Sequence, residues 1–178
     1  MKHIIALLVE NKQGVLARIS GLFSGRGYNL ESITAGVTTD PTVTRITLAC
    51  TGDDSVVEQI TKQLHRLIDV IKVTELTGVA ALHRELMLIK VSAHGRQRGE
   101  IFQVADVFKA QVMDVGHDTM SVELTGSPEK IEDFSSLMQP YGIVEIARSG
   151  VVSMERSKKT GSAAAAVRAD VRKDQGGS

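Results

Sequence analysis

Asn11, Lys12, Gln13 and Gly14 fall between an uninterrupted apolar run, Ile4 to Val9, and a stretch where Val15, Leu16, Ile19, Leu22 and Phe23 recur at helical spacing. A polar turn ending in glycine at a strand-to-helix junction has an evident chemistry. The first helical N–H groups have no intrahelical partner and lie at the positive end of the macrodipole, so a carboxylate or phosphate is stabilised there. Gly14 lets a ligand or another backbone approach closely. The same residues also serve as plain punctuation, with Asn11 and Gly14 turning the chain and capping the helix. Spacing does not separate the two readings.

Other chemistry is thinly represented. His3, His65, His83, His94 and His117 contain no pair at metal-ligand spacing and have no cysteine beside them in sequence, so they read as isolated surface or interface histidines. Asp53 with Asp54, and Glu129 with Glu132 and Asp133, fall in first helical turns, where macrodipole complementarity explains them as well as acid–base work does. No nucleophile elbow or phosphate loop is present. His94, Arg96 and Arg98 form an anion-site candidate of the kind a small hydrolase would use, set against a solvated basic loop. Six aromatic residues, four of them Phe at positions with helical spacing, leave no stacking platform for RNA.

Charge points the same way. The 21 basic residues equal the 21 acidic ones, which removes the electrostatic footprint of a nucleic-acid binder and disfavours a membrane surface. No stretch approaches the roughly 18 apolar residues of a membrane span. The single cysteine, Cys50, has no internal partner and lies in an apolar alternation, as a small buried hydrophobe would. The expected location is cytoplasmic.

The elements that must carry the turn are regular. Ile4 to Val9 is a strand and a helix follows; Asn29 to Thr38 and Val43 to Thr51 are strands joined around Asp40 and Pro41. A helix with the stripe Val56, Val57, Ile60, Leu64 and Leu67 opens on a capping box formed by Ser55 and Glu58, and Val70 to Leu76 is the next strand. Strand, helix, strand, strand, helix, strand is the ferredoxin-like βαββαβ order. It then repeats: a strand at Glu85 to Val91, a helix marked by Ile101, Val104, Ala105 and Phe108, strands at Val112 to Val115 and Met120 to Leu124, a helix opened by Ser127 and Pro128 with Leu137 in its stripe, and a strand at Ile143 to Ala147. Thr51-Gly52-Asp53 returns as Thr125-Gly126-Ser127.

The expected fold is therefore α+β, with two tandem ferredoxin-like domains at 1–78 and 84–156, a linker at 79–83 and a mobile tail at 157–178. Ile4 to Val9 is apolar at both parities, so both faces of that strand need cover. Pairing with another copy, within the chain or between chains, supplies it and predicts an obligate dimer.

Several long segments in order, VENKQGVLARISGLFSGRGYNLESI, EQITKQLHRLIDVIKV, HRELMLIKV, VELTG and GIVEIARSGVV, resemble the small regulatory subunit of acetolactate (acetohydroxyacid) synthase over about Met1 to Arg156. The resemblance implies that the first domain is an ACT domain and that the chain is not itself an enzyme. It implies a catalytic subunit as partner, one that condenses pyruvate with thiamine diphosphate, Mg and FAD, with no cofactor in this chain. It further implies activation of that subunit, feedback inhibition by valine, and a homodimer through the ACT domains. Carried over by motif, the valine-binding residues are Asn11, Gly14, Val15 and Leu16 of one protomer with Asn29 and Leu30 of the other. Gln13 stands where many relatives have proline, and the sheet segment ITAGVTTD at 33–40, expected at the pocket wall, differs from the family's commoner form. The second domain lacks the Asn and Gly loop, so the site is not extended to it. A free-standing ACT amino-acid-binding regulator of another enzyme or of transcription is the competing reading.

Overall fold

The structure is a computed structural model that describes residues 1–157. Its first half consists of β1 (Lys2–Glu10), α1 (Val15–Ser24), β2 (Asn29–Val37), β3 (Val43–Thr51), α2 (Asp54–Leu64) and β4 (Val70–Glu75). The strands form one antiparallel sheet in the order β2-β3-β1-β4. Alternation along β1 and β3 sends Ile5, Leu7, Val9, Ile46, Leu48 and Cys50 to one face, where Val15, Ile19, Phe23, Val57, Ile60 and Leu64 of the helices meet them. The apolar stripes thus mark the core, with one exception. Leu16, expected in the α1 stripe, is 47% exposed, because it lies at the margin beside Val15 and looks out past the end of β2.

The helix α2 corrects a second expectation. Its cap is Asp53, not the Ser55 and Glu58 box: Asp53 accepts from the Val56 N–H at 2.8 Å and from the Ser55 hydroxyl at 2.7 Å. The Ser55 hydroxyl and then the Val56 amide hold the Asp53 carboxyl below the usual carboxylate range. Ser55 is left supporting the cap.

The second half repeats the plan as β5 (Ala81–Ser92), α3 (Gln97–Phe108), β6 (Gln111–Val115), β7 (Thr119–Gly126), α4 (Pro128–Met138), a 3-10 turn at Gln139–Tyr141 and β8 (Ile143–Arg148). Its sheet order, β6-β7-β5-β8, matches the first. Met87, Ile89 and Val91 pack under Ile101, Ala105, Ile131, Phe134 and Met138, and Phe134 meets Phe108 edge to face at 5.2 Å between centroids. Leu137, expected in the α4 stripe, is 49% exposed. Ser127 caps α4 by accepting from the Lys130 N–H, as its position before Pro128 predicts.

A further strand, β9 (Val152–Glu155), was not expected. It pairs antiparallel with the start of β5, Ala81 opposite Glu155 and Arg84 opposite Val152, so β5 begins inside the stretch 79–83 expected as a linker. From Lys158 onward the expected tail lies outside the described residues.

The turn before β9 settles how β1 is covered. On the face away from the helices, Ile4 and Ala6 of β1 and Ala49 of β3 pack against Leu76, Val151 and Ala81. Around that cluster Arg45 donates to the Ser153 carbonyl at 2.7 Å and Thr34 to the Ser149 carbonyl at 3.2 Å. The two-faced burial of β1 is real, but the chain's own second half provides the cover, and the strand gives no reason for a second copy. Among the described residues no helix is long and apolar enough to cross a membrane.

Cys50 sits in this arrangement as a core side chain, fully buried, with its thiol pushed up to about 11 by burial and then by the nearby Glu31 and Glu75 carboxylates. Reaction with Ellman's reagent at pH 8 is expected to run on the order of 100-fold slower in the native protein than in denaturant, where the thiol regains its ordinary acidity. Equal rates would show that β3 opens readily.

Candidate functional site

The Asn11–Gly14 turn is held from both sides. The Asn11 N–H donates to the Thr42 carbonyl at 2.7 Å and its side-chain amide to the Pro41 carbonyl at 2.9 Å, tying the turn to the β2–β3 loop. That bond uses one of the two amide N–H groups, and the amide oxygen remains an acceptor. Glu10 donates its N–H to the Asp69 carbonyl at 2.9 Å, while the Asp69 carboxylate pairs with Arg18 of α1. Lys12 lies 2.5 Å from the Glu10 carboxylate, whose hydrogen bond raises the Lys12 ammonium above its usual range.

Gly14 closes the turn at φ +82°, in the left-handed region. It is the N-cap of α1 without a side-chain cap, and the first turn of the helix carries no acidic residue. The first i→i−4 bond runs from the Arg18 N–H to the Gly14 carbonyl at 3.0 Å, so the Val15, Leu16 and Ala17 amides have no helical partner. They form a helix N-terminus with no acidic residue in its first turn. Beside it is a cavity of about 210 Å³ bounded by Val9 to Lys12, Val15 and Leu16 on one side and by Ala35 to Val37, Thr44 and Ile46 on the other, with the Glu10 carboxylate paired to Lys12. Polar hydrogen-bond donors at one end and aliphatic walls at the other suit a small molecule with one anionic group and a short apolar body.

Asn29 and Leu30 are not part of that cavity in a single chain. Asn29 is opposite Thr51 on β3, which is opposite Lys2, whereas Asn11 follows Glu10 at the far end of β1. That is about 25 to 30 Å along the strands. The Asn29 side-chain amide donates to the Thr51 hydroxyl at 2.8 Å, again leaving an amide oxygen to accept, and Leu30 is half-buried against the helix-side core. β2 is an edge strand, so its outer row of backbone groups has no strand neighbour among the described residues. Ala35, Gly36 and Val37 were not among the six expected ligand residues, although they lie in the segment 33–40 expected at the pocket wall. Their part depends on register with β3, Ala35 against Ile46 and Val37 against Thr44, which no local motif encodes.

In the basic loop of the second half, His94 and Arg96 are exposed, as a solvated loop predicts, and Arg98 departs from both readings. Arg98 is half-buried and donates to the carbonyls of Ala93 (2.9 Å), Gly116 (2.7 Å) and His117, clipping two loops together. Its guanidinium is committed to backbone. His94 and His117 both approach the Asp118 carboxylate, at 3.2 and 2.8 Å, on the surface. His3, against expectation, is buried, with its ring nitrogens 3.7 Å from Glu75 and 4.0 Å from Asp54. Among the described residues no cluster of three or more His, Cys, Asp or Glu has the geometry to hold a metal ion.

Residues 5–72 match the family described as AHAS small subunit-like ACT domain, and residues 84–157 match that described as small subunit of acetolactate synthase. A probable acetolactate synthase small subunit of Archaeoglobus fulgidus is 50% identical, the match covering 89% of this chain and 99% of that protein. The acetolactate synthase isozyme 3 small subunit of Escherichia coli is 45% identical over 89% of this chain and 98% of its own. The crystal structure of the acetolactate synthase small subunit from Thermotoga maritima superposes with a TM-score of 0.80 at 37% identity, covering 89% of this chain and 99% of that one.

The backbone of the turn can be tested apart from any ligand. A Cβ at Gly14 meets no atom within 4 Å, so Gly14→Ala is expected to cost stability through its left-handed φ alone, about 1 kcal/mol. Gly21→Ala, in the interior of the same helix and also free of contacts, is expected to add about 0.5–1 kcal/mol. Urea midpoints that shift in the same direction for both would contradict this backbone geometry.

Proposed function

The chain belongs to the acetolactate synthase small subunits, and from that premise we propose that it is the regulatory partner of a catalytic subunit, raising its activity and making it inhibitable by valine. The chemistry lies in the partner: condensation of pyruvate with thiamine diphosphate, magnesium and FAD. This chain contributes sensing and assembly, in the cytoplasm where branched-chain amino acids are made. Its role requires that valine bind one arrangement of the complex more tightly than another.

The observation that carries the reading is the cavity beside Gly14, with uncapped amides at one end and aliphatic walls at the other. Amides of Gly14 to Leu16 receive the carboxylate, the Asn11 oxygen accepts from the ammonium, and Leu16 packs on the isopropyl group. Its exposure in the single chain supports a part in binding rather than in the core. Asn29 and Leu30 join from a second copy. Antiparallel pairing of two β2 edges about Ile33 would set Asn29 and Leu30 of that copy alongside Val37 and Gly36, at the cavity's open side. A homodimer through the ACT domains therefore completes the site, whereas one chain holds its two halves at opposite ends of the sheet.

Magnitudes fit a sensor. A carboxylate at a helix N-terminus contributes about 0.3–2 kcal/mol, burial of a valine-sized side chain about 1.5–3 kcal/mol, and each hydrogen bond about 1 kcal/mol. The sum corresponds to dissociation constants on the order of millimolar to tens of micromolar. Calorimetry on the isolated protein is expected to show valine binding that Gly14→Asp abolishes, through clash and charge repulsion, and that Asn29→Ala weakens about fivefold or more. Reconstitution with the catalytic subunit should then show inhibition that both variants lose in the same order. Unchanged binding in both would put the pocket elsewhere.

A further inference from the structure

β2 is shared between the cavity and the second half of the chain. Ala35 and Val37, paired with Ile46 and Thr44, look to the helix side and wall the cavity; Ser32 and Thr34, paired with Ala49 and Thr47, look to the opposite face. On that face lies the Ser149–Gly150 turn, its backbone accepting the Thr34 hydroxyl at 3.2 Å. Gly150 has φ +79°, and a Cβ on it would stand 2.9 Å from the Thr34 oxygen and 3.1 Å from the Ser32 Cβ, so this contact is backbone against strand with no room for a side chain.

The turn is fixed equally firmly to the second half. The Ser149 N–H donates to the Leu86 carbonyl at 3.0 Å, and the Leu86 N–H donates to the Ser149 hydroxyl at 3.1 Å. The preceding residue, Arg148, forms a two-bond pair with Glu85, at 2.6 and 3.1 Å, and Glu85 is 95% removed from solvent. A third contact, 3.4 Å, reaches Glu132 on α4. Glu85 and then Glu132 raise the Arg148 guanidinium further above its ordinary range. Strand, turn, β5 and α4 are thus linked by short polar contacts.

We infer that the Ser149–Gly150 turn seated on β2 is the joint through which the state of the Gly14 cavity is passed to the second half. The inference rests on the ligand reading above for what fills the cavity, but not for the joint itself. A strand's two faces move together because alternate side chains share one backbone. Displacing Ala35 and Val37 displaces Ser32 and Thr34, and the packed turn has no slack to absorb it. A thermodynamic corollary is reciprocity, so loosening the joint also removes any effect of the second half on ligand affinity.

Proximity alone does not establish coupling, so the test reads it directly. Amide hydrogen exchange on the full chain follows the Leu86 N–H, whose acceptor is the joint. One arm adds valine; another uses no ligand and fills the cavity with Ala35→Phe. Each perturbation is expected to change Leu86 exchange about threefold or more in the parent protein, and by less than about 1.5-fold in a Gly150→Ala background. Should Gly150→Ala not fold, Thr34→Val removes the hydroxyl bond at nearly constant volume and serves in its place. A Leu86 amide indifferent to Ala35→Phe overturns the joint, as does a response that survives Gly150→Ala and Thr34→Val. If valine fails to bind while the Ala35→Phe response is present and lost in the joint variants, the joint stands and the ligand reading falls.

Discussion

Because β1 is apolar on both faces, it needs cover from two sides, and the architecture follows from how each side is met. Ile5, Leu7 and Val9 are closed by α1 and α2; Ile4 and Ala6 are closed by Leu76, Val151 and the start of β5. Val151 comes from the far end of the chain. It can reach only because β9 folds back along the first residues of β5 and brings the Ser149–Val151 turn onto the first sheet. Removing an aliphatic side chain from this kind of position typically costs about 2–5 kcal/mol, so the two ferredoxin-like halves are held against each other by core packing as well as by Arg45 and Thr34.

That same packing determines what β2 is free to do. One of its faces is partly occupied by the second half, its other face walls the Gly14 cavity, and its outer edge has no strand beside it among the described residues. A sheet edge left open on a strand nine residues long is ordinarily paired or protected. In the proposed dimer, the edge is paired and two incomplete ligand sites become complete. Within one chain the acceptor on Asn29 and the amides after Gly14 are separated by the whole length of the sheet, and no side-chain rotation closes that gap.

How much was legible follows from whether the determinant is local. The Asn11–Gly14 turn is local, since strand end, polar residues, glycine and helix start are consecutive, and the sequence locates the turn itself. The cavity wall at Ala35 to Val37 is not, because it exists only once β2 is registered on β3. Asn29 and Leu30 were reached through family resemblance alone. Core stripes read well for Ile19, Phe23, Ile60 and Phe134 but not for Leu16 and Leu137, where helical periodicity marks a face without marking its edge. Asp53 and Ser55 are both competent caps two residues apart, so local pattern does not choose between them. β9 is four residues long and gains its identity from β5. Arg98 looked like solvated charge because the carbonyls it binds at Gly116 and His117 lie 18 and 19 residues away.

The central claim is that each ligand site is divided between two copies, and mixing protomers tests it most directly. Protomers carrying Gly14→Asp and protomers carrying Asn29→Lys each build homodimers in which both sites are damaged. In a mixed dimer, one site gathers both substitutions and the other gathers neither. Calorimetry after mixing and re-equilibration should therefore recover one parental-affinity valine site per mixed dimer, although neither variant binds alone. No recovery, with mixed dimers demonstrated by mass, would show that Gly14 and Asn29 act within one chain or in separate sites, and would contradict the account.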